Sequence, residues 1–113
     1  MTKNNKVYIV DIDQTICYNQ GGDYENSIPD MKRIEKINKL YEQGNTVIYW
    51  TARGMNRFNG DIRRVYETFY ELTKEQLSLW GVKYTDLRLG KISYDCWVDD
   101  KSFNDKEFFK DVE

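Results

Sequence analysis

Short apolar runs and helical stripes alternate along this chain, separated by polar stretches that often hold glycine. The first run, Lys6-Val7-Tyr8-Ile9-Val10, predicts a strand that leads straight into Asp11-Ile12-Asp13-Gln14-Thr15-Ile16. From Cys17 to Ser27 the residues are polar, include Gly21-Gly22 and show no apolar period, which predicts a loop or flap. Ile28 to Gln43 predicts a helix, with Pro29 at its first position and Asp30 at its positive end. Met31, Ile34, Ile37, Leu40 and Tyr41 form its apolar stripe, and Gly44 is a natural stop. Val47-Ile48-Tyr49-Trp50 is a continuous apolar run that fits a strand covered on both faces.

The second half repeats the alternation. Gly54 to Gly60 reads as a loop. A helix follows from Asp61, with Ile62, Val65, Tyr66, Phe69 and Leu72 on one face. Thr73-Lys74-Glu75-Gln76 has the form of a capping box, which predicts a separate short helix carrying Leu77 and Trp80 and ending at Gly81. Tyr84 to Leu89 is a weak strand candidate and Cys96-Trp97-Val98 a better one, ending in Asp99-Asp100. The tail from Asn104 predicts a helix with Phe108 and Phe109 facing inward.

Strand, helix and strand within the first 51 residues make a βαβ unit, hence parallel strands. Ligands of such sheets bind beyond the carboxyl ends of the strands. Asp11 and Asp13 lie at one such end, and Thr51, Ala52 and Arg53 at the next. Residues two apart leave a strand on the same side, so the two carboxylates should meet. Paired carboxylates repel, share a proton or hold a cation. A strand opening into a solvated acidic loop is the plain alternative for this stretch alone.

Composition narrows the chemistry. At 113 residues and 40% hydrophobic, the chain predicts a single domain, 1–113, with a real core. A net charge of −2 offers no basic footprint for nucleic acid or an anionic membrane. No apolar run approaches the roughly 20 residues that span a bilayer. Residues 1–6 have the positive charge of a leader peptide without its apolar segment, so a cytoplasmic protein is expected. Cys17 and Cys96 have neither metal-binding nor thiol-phosphatase spacing and read as buried free thiols. Histidine is absent, which removes histidine-based nucleophile systems and histidine-ligated zinc. Chemistry must then run on carboxylates, hydroxyls, lysine, arginine and an oxygen-loving metal.

Four clusters stand at or just after strand ends, in the order Asp11/Asp13/Thr15, Thr51/Arg53, Lys91 and Asp99/Asp100. That order resembles the haloacid dehalogenase superfamily of phosphatases. Asp11-Ile12-Asp13-Gln14-Thr15 matches its Asp-x-Asp-x-Thr/Val motif, Thr51 its second-motif Ser/Thr, Lys91 its third-motif base and Val98-Asp99-Asp100 its acidic fourth motif. The Thr-Ala-Arg-Gly and Val-Asp-Asp-Lys stretches look like those of small members found among surface-polysaccharide biosynthesis genes. The resemblance implies a compact, Rossmann-like three-layer α/β sandwich with a small, mainly parallel sheet and no cap domain.

It also implies roles. Asp11 would attack phosphorus, and Asp13 would protonate the leaving alcohol and then deprotonate water. Thr51 would donate to a phosphoryl oxygen, and Lys91 would offset negative charge. Gln14, Thr15, Ala52 and Arg53 are placed toward the substrate, Arg53 by forking onto a phosphate or sugar carboxylate. Mg²⁺ would sit among Asp11, the Asp13 carbonyl, Asp100 directly and Asp99 through water. Asp13 selects phosphoryl transfer over dehalogenation, since only a leaving alcohol needs a proton.

Three departures stand out. Gln14 occupies a position usually held by Gly, Lys91 and Asp99 are close in sequence, and no segment is long enough for a cap. An open site suits a large phosphorylated substrate, such as a sugar phosphate, or enclosure by a second subunit in a homo-oligomer. A phospho-receiver or idle binding domain, and a small metal-dependent nuclease, are the competing readings.

Overall fold

The three central strands are all parallel, in the order β1-β4-β5, and their carboxyl ends are what the rest of the chain builds upon. The structure is a computed structural model that describes residues 5–113; residues 1–4, most of the stretch read for a leader, lie outside the described residues. Strand β1 (Val7–Val10) pairs with β4 (Thr46–Trp50), Val10 opposite Tyr49, and β4 pairs with β5 (Asp86–Arg88), Trp50 opposite Arg88. Two-residue strands β2 (Cys17–Tyr18) and β3 (Ile28–Pro29) form an antiparallel clip that frames the flap between them. Helices α1 (Met31–Glu42), α2 (Ile62–Leu79) and the short α3 (Asp105–Phe108) complete an α/β fold with a small, mainly parallel sheet.

Helix α1 starts three residues later than its pattern predicts. The Asp30 carboxylate accepts the Arg33 N–H, the usual N-cap arrangement, and Ile28-Pro29 is spent on pairing with β2. Its end is as expected, at Gln43, with Gly44 at φ +98°, a backbone that only glycine adopts without strain. Ile34 and Ile37 are buried, but Met31 and Tyr41 of the predicted stripe are exposed. Arg33 is buried on this helix as well. Its guanidinium donates to the Thr15 carbonyl (3.1 Å) and Asp105 (2.8 Å), pairs with Glu113, and lies 4.6 Å from the Phe109 ring centroid. The tail helix is thus tied to α1 and to the loop after β1. As the pattern predicts, Phe109 is buried and Asn104 caps α3.

Two predicted elements are corrected. Thr73 does not open a new helix, because α2 runs unbroken through it. Thr73 is buried and its hydroxyl accepts from Arg53, so it is not available to cap a backbone N–H. Cys96-Trp97-Val98 is not a strand but part of an irregular, exposed stretch, with Val98 91% exposed. There the Asp99 carboxylate takes the Lys101 N–H and the Trp97 indole N–H, bonds local to this stretch. Consistently, Val7 and Ile9 of β1 are 63% and 60% exposed. Trp97 and Phe103 are exposed too.

The cysteines divide as well. Cys17 is buried, whereas Cys96 is exposed rather than the buried thiol expected. Burial first, and the Asp13 charge second, push the Cys17 thiol up to about 11, so it stays protonated at pH 8. A disulfide-exchange reagent at pH 8 should therefore label one thiol per native molecule, at Cys96, and a second only after denaturant is added. Two fast native thiols would contradict this placement. Among the described residues, no helix is long and apolar enough to cross a membrane.

Candidate active site

Asp11 follows directly on β1 and Thr51 directly on β4, so the strand register sets them side by side at the carboxyl edge of the sheet. The third strand contributes Lys91, whose N–H donates to the Thr51 carbonyl at 3.2 Å. Gly90 makes that turn with φ +84°, its Cα packed near Ile62. The Lys91 side chain is buried and its Nζ is 3.7 Å from Asp11 Oδ1. It also lies over the rings of Tyr94 (5.2 Å) and Trp97 (5.6 Å).

Asp11 is half-buried. Burial raises its pKa, while Lys91, the Ile12 N–H and the Thr15 hydroxyl each pull it back. The Thr15 hydroxyl donates to Asp11 Oδ2 at 3.1 Å. Thr51 is buried, and its hydroxyl oxygen accepts the Arg53 N–H at 3.1 Å, which leaves its own O–H proton to give. The Asp11 carboxylate, the Thr51 hydroxyl and the Lys91 ammonium thus all stand at the carboxyl ends of the parallel strands.

Asp13 has a different setting. Arg53 Nη2 donates to its Oδ1 at 2.9 Å, and Arg53 Nε donates to both oxygens, at 3.2 and 3.0 Å. Asn19 Nδ2 adds a 2.8 Å bond to Oδ1 and also reaches Ser27 Oγ, which ties the flap to the acid. Arg53 was expected at the substrate, and here the structure corrects that reading. Its side chain is fully buried, turned back into the protein and forked onto Asp13. The reason is the turn after β4, where Gly54 at φ +77° packs so closely that a Cβ would come within 2.7 Å of the Phe69 ring. The Gly54 N–H donates to the Tyr24 hydroxyl, which brings the flap over the same turn.

The remaining expected substrate contacts are mixed. Gln14 stands at φ +62°, the region that favours the glycine its position usually holds. Its exposed amide is engaged with the Asn19 side chain and carbonyl. Ala52 is half-buried and its carbonyl accepts from Met55. An open cleft of about 390 Å³, lined by Met55, Asn56, Asn59, Gly60, Ile92 and Ser93, adjoins Lys91 in the chain, though it contains none of the expected site residues.

The acids expected around Mg²⁺ are not brought together as one group. Asp99 and Asp100 sit on the exposed stretch, and among the described residues no three acid, histidine or cysteine side chains group to hold an ion. Asp99 instead bonds locally to Trp97 and Lys101, and Asp100 pairs with Lys101.

Sequence reasoning missed Thr73 and Gln76, which accept from Arg53 Nη1 at 3.0 and 2.7 Å, and Tyr24, whose ring lies 4.8 Å from the guanidinium carbon. A signal was present. Phe69, Thr73 and Gln76 share one face of α2, so two polar residues stand where the helical period calls for core.

Comparison with known proteins adds the fold. No family model matches the chain, and no curated protein matches it significantly. A crystal structure of a structural-genomics target from Vibrio cholerae is similar, with a TM-score of 0.84 and 27% identity over 91% of this chain and 86% of that one.

Proposed function

We propose that this chain is a phosphatase of the haloacid dehalogenase type, acting on a phosphomonoester of a sugar or related metabolite. The observation that carries the reading is the Asp11 carboxylate set between the Lys91 amine and the Thr15 hydroxyl at the end of parallel strands. The strand order β1-β4-β5 supports the finer fold reading, a Rossmann-like three-layer sandwich, and short connections between the elements support the capless form.

In this mechanism an Asp11 oxygen attacks phosphorus and the ester oxygen departs, taking a proton from Asp13. Water then attacks the aspartyl-phosphate, Asp13 takes its proton, and the Asp11 carboxylate returns with release of phosphate. Thr51 donates to a phosphoryl oxygen and Lys91 offsets the charge gathered there, so catalysis is mainly electrostatic positioning.

Mg²⁺ belongs to the proposal as a requirement to be measured. The acids do not form one group in this arrangement, since Asp99 and Asp100 join none with Asp11. The test is phosphate release from a panel of sugar phosphates and nucleotides, with and without Mg²⁺. Release from a phosphomonoester is expected. A phospho-form lasting hours with no turnover on any ester would overturn the reading in favour of a phospho-receiver, and cleavage of single-stranded nucleic acid in favour of a nuclease.

A further inference from the structure

We infer that Arg53 is the positioning residue of the proton carrier Asp13, fixing which of its oxygens moves the proton. The inference rests on the phosphatase reading above. It starts from how the guanidinium is used. Nε faces both Asp13 oxygens, and Nη2 faces Asp13 Oδ1 and, at 4.0 Å, Cys17 Sγ. Nη1 donates to Thr73 Oγ1 and Gln76 Oε1. All five N–H groups therefore have protein partners, and none is left for a substrate phosphate.

The two oxygens of Asp13 are consequently unequal. Oδ1 accepts from Arg53 Nε, Arg53 Nη2, Asn19 Nδ2 and the Cys17 thiol, whereas among the described residues Oδ2 accepts only from Arg53 Nε, at 3.0 Å. Oδ1 is the anchored oxygen and Oδ2 the one with a lone pair to spare. The Asp13 side chain as a whole is 18% exposed, so it is not sealed inside the protein as Arg53 is. As the ester P–O bond breaks, its electron pair stays on the leaving oxygen, and the proton on Oδ2 moves to it. In the second half the attacking water gives a proton back to Oδ2 as the Asp11–phosphorus bond breaks.

The anchor itself is rigid. Helix α2 grips the guanidinium from behind, and Gln76 Nε2 also donates to the Tyr24 carbonyl at 2.7 Å, so one buried cation joins acid, helix and flap. Lysine keeps the charge but lacks the planar fork that reaches two oxygens of one carboxylate and two acceptors on a helix.

A positioning role predicts dependence on the leaving group. An alkyl phosphate such as glycerol 1-phosphate needs its departing oxygen protonated, and p-nitrophenyl phosphate, with a stable phenolate, needs it far less. Arg53→Lys should lower kcat/KM, which reads only the steps up to departure of the leaving group, by roughly 100-fold on the alkyl ester, the lower range of general acid catalysis. On the aryl ester the loss in kcat/KM should be under about tenfold, because the water step shared by both esters does not enter it. In an Asp13→Asn background the same substitution should cost less than about twofold more, because it acts through Asp13.

Equal losses in kcat/KM on both esters, or full additivity with Asp13→Asn, would overturn the role. If Arg53→Lys does not fold, Thr73→Val with Gln76→Met removes the rear grip, and the same leaving-group pattern is expected. Failure of the phosphatase reading looks different. The wild-type chain would then hydrolyse neither ester, and the Arg53 role would fall with it.

Discussion

Asp11→Asn is expected to lose phosphate release by about 10⁴-fold or more, the scale seen when a nucleophile is removed, while melting at a higher temperature than the wild-type chain. Both effects come from one setting. Asp11 is held where burial outweighs the help of Lys91, the Ile12 N–H and Thr15, so its pKa is raised. An acid whose folded pKa is raised favours the fold only while protonated. Its contribution is present below the ordinary carboxylate range and is lost as pH rises through the raised value. At neutral pH the ionised Asp11 therefore weakens the fold, and the isosteric amide removes that cost along with the nucleophile. The gap in Tm should be widest near pH 7 and should close as pH falls below the carboxylate range, measured by thermal melts without divalent cation. A variant that melts lower at pH 7, or a gap that widens in acid, would show that Asp11 is held by its ion pair rather than strained by burial.

The backbone and the chemistry were not equally legible in the sequence. Period and punctuation gave β1, β4 and α1, because Val47-Ile48-Tyr49-Trp50 and the stripe ending at Gly44 answer to local rules. Parallel pairing then followed from chain order, and with it the meeting of Asp11, Thr51 and Lys91. What stayed hidden depends on where side chains turn. A Thr-x-x-Gln run reads as a helix start, yet a buried guanidinium claims Thr73 and the helix passes through. Arg53, read locally, is a surface cation after a strand. Only the close packing of Gly54 on Phe69, and acceptors about 20 residues further along at Thr73 and Gln76, explain why it turns inward. Cys96-Trp97-Val98 has strand-like residues, but a strand also needs a partner, and among the described residues no strand pairs with it.

The same inward turn makes Asp13 a structural residue as well as a proton carrier. Asp13→Ala is expected to destabilise the chain by about 3–5 kcal/mol, the usual result of removing one partner from a buried ion pair. The penalty arises less from the lost attraction than from what remains. Arg53 is fully buried, and without Asp13 its positive charge would face Thr73, Gln76, the Cys17 thiol and the Tyr24 ring, which are neutral. For a domain of this size that loss corresponds to a Tm lower by roughly 10–20 °C. Asp13→Asn should lose less, since its amide oxygen can still accept from the guanidinium. Adding Arg53→Met to Asp13→Ala should recover most of the stability, because a buried charge is then replaced by an apolar chain of similar length. Urea unfolding of the four proteins measures this directly. If the double variant were no more stable than Asp13→Ala alone, the unpaired charge would not be the cause, and lost packing around Asn19 and the flap would have to supply it.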